Sequence, residues 1–132
     1  MNVIICIDDN QGMLFNKRRQ SRDAKVIEDI ASLTDELWIS PFSEKLFESE
    51  NIKITLSDTL LEDVPAEDYC FIENQKLKPY ECNIEQLIVY KWNRNYPSDF
   101  KLDLNLNEWK LIETVDFAGK SHEKITREIY AK

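Results

Sequence analysis

The chain has 132 residues, a length that suits one folded domain, and we expect a single domain spanning 1–132. Its 25 acidic and 17 basic side chains give a formal net charge of -8, so its overall field repels nucleic acid phosphates and anionic lipid headgroups. We therefore expect no nucleic acid or membrane partner. Because no apolar run is long enough for a membrane span or a signal-peptide core, we expect a cytoplasmic protein.

Three residue types are scarce enough to exclude whole classes of site. The single histidine, His122, cannot build the multi-histidine centre of a metal-dependent nuclease, so we expect no metal, and we place His122 on the surface of a hairpin. The three cysteines have no CxxC spacing and are expected to be free thiols. With only two glycines, the chain cannot form the usual glycine-rich phosphate loops.

The first half of the chain alternates strand and helix patterns. The continuous apolar run at 2–7 predicts a central strand buried on both faces. Apolar residues then recur at helical spacing over 22–33, with Ser21 as the expected N-cap. A short strand at 36–40, a brief helix beginning at Pro41 and a strand at 52–56 follow.

The second half closes with a different pattern. Buried strands are predicted at 68–73 and 84–92, and the segments 108–117 and 123–132 alternate apolar with polar residues, which is typical of a β-hairpin. We therefore predict an α/β fold with a mixed, mostly parallel sheet, flanking helices and a C-terminal antiparallel hairpin. Tyr96, Pro97 and Phe100 precede the hairpin, where they are expected either to cover the sheet edge or to form a homodimer contact.

A basic stretch lies just before the first predicted helix. Residues 16–25 include five cations and one acidic residue, Asp23; the cations are Lys17, Arg18, Arg19, Arg22 and Lys25. One interpretation is a solvated loop whose cations pair with the many carboxylates of the chain. The other is an anion site, in which Lys17, Arg18, Arg19 and Arg22 join the free N–H groups of the helix start at Ser21.

The order of elements and several local strings resemble dihydrofolate reductase over nearly the whole chain. The resemblance is strongest at 84–132, and near the start "IICIDDNQGMLFN" is similar to that family's first strand and mobile loop. It implies a dihydrofolate-reductase-like fold, and it places Asp23 at the family's proton-relaying carboxylate. Arginines near Asp23 would instead lower its pKa, which argues against proton donation.

The positions that correspond to the family's NADPH site depart from its pattern. Ser43 matches a threonine at a helix start, but Pro41 removes a backbone donor there. Ser57 is retained next to Asp58, where the family has the arginine that holds the 2′-phosphate, and Glu73-Asn74 replace its paired glycines. The added negative charge and bulk oppose NADPH binding, so we expect no cofactor.

Three functions stay open from the sequence. The first is a non-catalytic or regulatory module that binds a small anionic ligand or an acidic protein segment through the basic stretch. The second is a divergent pterin or dihydrofolate-type oxidoreductase that uses Asp23 with NADPH or NADH, the latter because Asp58 can hydrogen-bond an unphosphorylated ribose. The third is a structural protein-protein interaction domain.

Overall fold

A computed structural model describes residues 1–132. Its strands are β1 Asn2–Ile7, β2 Gly12–Phe15, β3 Arg18–Arg19, β4 Glu36–Ile39, β5 Lys53–Leu56, β6 Tyr69–Phe71, β7 Gln86–Lys91, β8 Phe100–Lys101, β9 Lys110–Phe117 and β10 Ile125–Ala131. The α-helices are α1 Ala24–Leu33 and the single turn α2 Leu60–Asp63, and 3₁₀ helices span Pro41–Phe47, Lys78–Asn83 and Leu106–Glu108. None of these helices has the length and apolar character needed to cross a bilayer.

Seven strands form one sheet in the order β5-β4-β6-β1-β7-β10-β9. Neighbouring strands from β5 to β7 run parallel, whereas β10 is antiparallel to both β7 and β9. The crossover between β1 and β4 is provided by α1, as a parallel connection requires. The predicted mixed, mostly parallel sheet with a closing antiparallel hairpin is therefore confirmed.

The sheet separates two apolar cores, and β1 contributes to both. Val3, Ile5 and Ile7 belong to one core, while Ile4 packs in the other. On this second side, α1 buries its apolar stripe, formed by Val26, Ile27 and Ile30. The prediction that β1 is a central strand buried on both faces is confirmed, because its side chains alternate between two apolar layers.

A second, three-stranded sheet of order β3-β2-β8 contains part of the basic stretch. The sequence predicted a loop here, but β2 and β3 form a hairpin whose turn residues Asn16 and Lys17 have φ values of 52° and 63°. Two successive residues with positive φ are typical of a two-residue hairpin turn that matches the strand twist. The short strands gave too little periodicity for this hairpin to be predicted.

The first helix begins two residues later than predicted. Ala24 is its first residue and Asp23, not Ser21, is the N-cap, because the Asp23 carboxylate accepts a hydrogen bond of 2.9 Å from the Lys25 N–H. Asp and Ser are comparably favourable N-cap residues, so residue preference alone could not distinguish Asp23 from Ser21 as the N-cap of α1. The Ser21 hydroxyl lies instead against His122.

The C-terminal hairpin pairs β9 with β10, as predicted, and its connection folds back over the start of α1. Within this connection the Gly119 N–H donates to the His122 carbonyl at 3.0 Å. His122 is only 5% exposed, so its predicted position on the hairpin surface is wrong. Its ring is covered because Trp92 and Tyr96 both lie against it.

A half-buried cluster formed by Tyr90, Asp29 and Arg127 joins α1 to the sheet and should contribute measurably to stability. The Tyr90 hydroxyl donates to Asp29 Oδ2 at 2.5 Å, and Arg127 Nη1 donates to the same oxygen at 2.7 Å. Burial and the bond to Asp29 raise the pKa of Tyr90, so the phenol remains a donor. We expect Tyr90→Phe to lower the free energy of unfolding by about 1 to 3 kcal/mol in urea titrations.

Tyr80→Phe is the matched control for this substitution. Its hydroxyl contacts Glu62 at 3.4 Å at an exposed site, so its loss should change stability by less than about 0.5 kcal/mol. Equal effects of the two substitutions would contradict the role assigned to the half-buried cluster.

Candidate functional site

A narrow cleft lies beyond the carboxyl ends of β1, β6 and β7, the edge at which ligands bind in open α/β sheets. This inner cleft is bordered by Cys6, by Phe71 to Glu73, by Trp92 and by the start of α1. Its volume is about 20 Å³, which is room for about one water molecule. In this conformation the inner cleft cannot hold a substrate with rings.

The inner cleft is closed on one side by three side chains that we call the Glu73 clasp, formed by Arg19, Ser43 and Glu73. Arg19 holds the Glu73 carboxylate with two bonds, Nε to Oε2 at 2.8 Å and Nη2 to Oε1 at 2.9 Å. Ser43 Oγ donates to Oε1 at 2.7 Å. The carboxylate thus fills an anion site made of a guanidinium fork and a hydroxyl.

Arg19 uses its Nε and Nη2 groups for partners within the chain. Its Nη2 also donates to the Phe42 carbonyl at 3.1 Å, and its guanidinium lies 5.1 Å from the centre of the Phe42 ring. The hydrogen bond to Glu73 raises the pKa of Arg19. Nearby, burial raises the pKa of the Cys6 thiol, and the Glu73 charge adds to this effect, so Cys6 is protonated and unreactive.

The structure does not gather the basic stretch into one cradle. Arg18 and Arg19 are successive strand residues whose side chains point to opposite faces, and only Arg19 enters the clasp. Lys17 is exposed in the turn and Arg22 is exposed just before α1. The N-terminus of α1, which the sequence offered to an external anion, is already capped by Asp23.

Asp23 is the most highly coordinated side chain of the site, and it is 4% exposed. It accepts from the N–H groups of Lys25, Lys120 and Ser121 at 2.8 to 2.9 Å, from Ser121 Oγ at 3.1 Å and from His122 Nδ1 at 2.9 Å. Burial alone would raise the pKa of Asp23, but these hydrogen bonds outweigh it and hold the pKa far below its usual value.

The lowered pKa of Asp23 agrees with the prediction from the sequence, but its physical cause is different. We expected the neighbouring arginines to lower the pKa of Asp23, and the structure assigns the effect to backbone N–H groups and His122. Arg19 is committed to Glu73 instead. A carboxylate that stays ionised near neutral pH cannot donate a proton, which argues against the proton-relaying role implied by the resemblance.

His122 links Asp23 to two hydroxyl groups, and the sequence analysis missed it. Its Nε2 lies 3.0 Å from both Ser21 Oγ and Tyr96 Oη, and Trp92 stacks on its ring at 4.7 Å between centroids. Asp23 and His122 are 99 positions apart, so no local pattern joins them. The one sequence feature that could have indicated this role is that His122 is the single histidine of the chain and follows Gly119 in the connection of the C-terminal hairpin.

The remaining residues of the predicted cofactor site also lie beyond the carboxyl ends of strands. Ser43 is fully buried in the clasp. Ser57 donates to Asp63 Oδ2 at 2.5 Å, and hydrogen bonds from Ser57 and Thr59 lower the pKa of Asp63. Asp58 is exposed beside them. Two carboxylates therefore stand where the resemblance implies a phosphate of NADPH, which disfavours its binding.

A wider depression, the hairpin groove, adjoins the inner cleft and shares Arg19 and Gln20 with it. Its volume is about 590 Å³, and its walls are Phe15, Asn16, Arg18, Arg19, Gln20, Tyr96 and Pro97. The Arg18 side chain forms no ion pair or hydrogen bond, and Phe15 is 42% exposed. The hairpin groove thus combines a free guanidinium with two aromatic rings.

Comparison with known proteins identifies the fold and nothing more specific. No protein-family model and no curated protein matches the sequence. Among solved structures, dihydrofolate reductase from Enterococcus faecalis, complexed with NADP(H) and RAB-propyl, aligns over 98% of this chain and 94% of that chain. The TM-score is 0.67 at 12% sequence identity. The chain has a dihydrofolate-reductase-like fold, which confirms the resemblance seen in the sequence.

The ionised Asp23 should make stability depend on pH. Its folded pKa lies below the unfolded value of about 3.9, so its contribution is complete above the unfolded pKa and is lost as pH falls through the folded one. We expect Asp23→Asn to lower the free energy of unfolding by about 2 to 4 kcal/mol at pH 7. That cost should be the same at pH 5 as at pH 7, and it should shrink when urea titrations are repeated at pH 4 and pH 3.

Asp58→Asn is the control, since Asp58 is an exposed aspartate that accepts no hydrogen bond from the chain. Its effect should be small and nearly constant over the same pH range. A cost for Asp23→Asn that is independent of pH would show that the carboxylate is not stabilised as an anion.

Proposed function

We propose that this chain is a ligand-binding module that takes a small anionic ligand in the hairpin groove and does not perform NADPH-dependent reduction. The observation that carries the proposal is the Glu73 clasp. A dinucleotide phosphate needs an anion site with free donors, and in this chain Arg19 and Ser43 already donate to an internal carboxylate. Residual space of about 20 Å³ leaves no room for a pteridine or nicotinamide ring beside it.

The hairpin groove supports binding of an anion because Arg18 is its one free cation. An exposed ion pair contributes only about 0.2 to 1 kcal/mol, whereas a dissociation constant of 1 mM requires about 4 kcal/mol. Charge alone therefore cannot hold a ligand there. Burying about 100 Å² of an aromatic ring against Phe15 and Tyr96 would add about 2.5 kcal/mol.

These magnitudes favour a ligand with both a carboxylate or phosphate and a flat apolar part. An aromatic carboxylate of moderate affinity fits this description, with its anion on Arg18 and its ring in the groove. An acidic protein segment offers the same carboxylates without the ring, so it should bind more weakly. Since the protein carries a net charge of -8, binding of either should be local and sensitive to salt.

A second candidate is a divergent oxidoreductase, and the extent of the structural match favours it. The superposition covers almost the entire chain, and the matched Enterococcus faecalis protein is described with NADP(H). For this chain to act in that way, the Glu73 clasp would have to open. Asp58 would then favour NADH over NADPH, because a carboxylate accepts from ribose hydroxyls and repels a phosphate.

The hairpin groove can be tested by isothermal titration calorimetry with 4-aminobenzoate, benzoate and phosphate in low salt. We expect 4-aminobenzoate and benzoate to bind more tightly than phosphate, with Arg18→Gln weakening them at least fivefold because the guanidinium is lost. A peptide of glutamates measures the acidic-segment alternative in the same assay, and we expect it to bind more weakly than benzoate.

Arg94→Gln is the matched control, since Arg94 is an exposed arginine outside both the inner cleft and the hairpin groove. It should leave the affinities unchanged. Equal losses in the two variants would indicate nonspecific attraction, and no binding by the unsubstituted protein would contradict the anion site.

The Glu73 clasp can be tested by removing the internal anion. Glu73→Ala frees Arg19 and Ser43, so we expect a gain of affinity for sulfate and pyrophosphate, seen as thermal stabilisation that grows with ligand concentration. Glu73→Gln removes the charge but keeps the size of the side chain, so its gain of affinity for sulfate and pyrophosphate should be smaller than that of Glu73→Ala. Stabilisation of the unsubstituted protein by NADPH or NADH, with oxidation of the nucleotide by dihydrofolate, would instead establish the oxidoreductase.

A further inference from the structure

A serine, a histidine and an aspartate form one hydrogen-bonded line beside the inner cleft. Ser21 Oγ lies 3.0 Å from His122 Nε2, and His122 Nδ1 lies 2.9 Å from Asp23 Oδ2. These distances lie within the range in which a nucleophile meets its base and the base meets the group that orients it. Ser21 and Asp23 border the inner cleft.

The hydrogen bonds around Asp23 define the direction of proton transfer along this line. Because Asp23 is ionised and can only accept, His122 Nδ1 must carry its proton towards Oδ2. In the neutral ring Nε2 is then an acceptor facing Ser21 Oγ. Trp92 stacked on the imidazole restricts its rotation, so the ring keeps this orientation.

Ser21 borders the inner cleft and lies close to the wall of the hairpin groove. Tyr96, which lines the groove, has its hydroxyl 3.4 Å from Ser21 Oγ, so the wall of the groove is one side chain away from the serine. Gln20 lines both spaces, and its buried Oε1 has no hydrogen-bond donor. That acceptor, beside a cleft with room for one water, is a suitable position for a hydrolytic water.

We propose that Ser21 is an activated nucleophile and that the chain hydrolyses small carboxylic esters through Ser21, His122 and Asp23. Ser21 Oγ bonds to the acyl carbon while its proton passes to His122 Nε2. The bond from the acyl carbon to the leaving oxygen breaks, and that oxygen takes the proton from Nε2. Water then attacks the acyl-serine, again through Nε2, and releases the acid and free Ser21.

This activity goes beyond the proposed binding function and does not require it. His122 exchanges protons with Ser21 Oγ, the leaving oxygen and the attacking water, whereas Asp23 contacts only His122 Nδ1 in this line and acts as a positioning residue. The chain offers a second serine for comparison. Ser121 contacts Asp23 Oδ2 at 3.1 Å and His122 Nδ1 at 3.2 Å, on the side of the ring where no proton can be accepted.

The first test treats the folded protein with a fluorophosphonate and locates the label by peptide mass spectrometry. We expect the label on Ser21, its absence in Ser21→Ala, and unchanged labelling in Ser121→Ala. His122→Gln should slow labelling about 100-fold, since general-base catalysis contributes roughly that factor or more. Labelling no faster than that of the urea-unfolded chain would overturn the proposal.

A second variant covers the case in which His122→Gln does not fold. Ser21→Cys places a thiol at the same position, and His122 should convert it to a reactive thiolate. We expect iodoacetamide to alkylate it at least tenfold faster than Cys82, the exposed native cysteine. Alkylation slower than that of Cys82 would show that His122 does not activate this position.

Hydrolysis itself is measured with phenyl acetate and acetylsalicylate, a neutral and an anionic ester. We expect turnover of phenyl acetate that Ser21→Ala abolishes. If Arg18→Gln reduces turnover of acetylsalicylate but not of phenyl acetate, the hairpin groove supplies the contact to the anion. If Arg18→Gln and the unsubstituted protein hydrolyse acetylsalicylate at equal rates, Ser21 acts without that contact. Turnover that persists in Ser21→Ala would overturn the hydrolytic role.

Discussion

The buried Asp23 carboxylate is the interaction on which the organisation of this site depends. It caps α1 through the Lys25 N–H and binds the N–H groups of Lys120 and Ser121 in the β9–β10 connection. A hairpin from the end of the chain is thereby fixed over the first helix. Because the groups it joins are nearly one hundred residues apart, the cap also stabilises the long-range packing of the sheet.

The Glu73 clasp shows how a donor set at the edge of a sheet can be occupied by a side chain of the same protein. The carboxyl edge of a parallel sheet collects helix starts and loop donors, which favours anions. In this chain the anion is an internal side chain, held by Arg19 and Ser43. The same donors that would suit a phosphate now close the inner cleft, so the fold alone does not define the function.

The two proposed sites use different parts of the basic stretch. Arg18 faces the hairpin groove, Arg19 faces the clasp, and Ser21 faces His122. This division follows from the β2–β3 hairpin, in which successive side chains alternate between faces. A cluster of cations in the sequence is therefore not a cluster in space, and each residue acquires its own partner.

The sequence by itself determined the order of elements, the doubly buried β1, the apolar face of α1 and the closing β-hairpin. Those features follow from local periodicity, which is a property of neighbouring residues. Only the tertiary structure decided that Asp23 rather than Ser21 caps α1, that His122 is buried and that Glu73 binds Arg19. These outcomes depend on contacts across 54 to 101 positions, where close packing rather than local preference selects each partner.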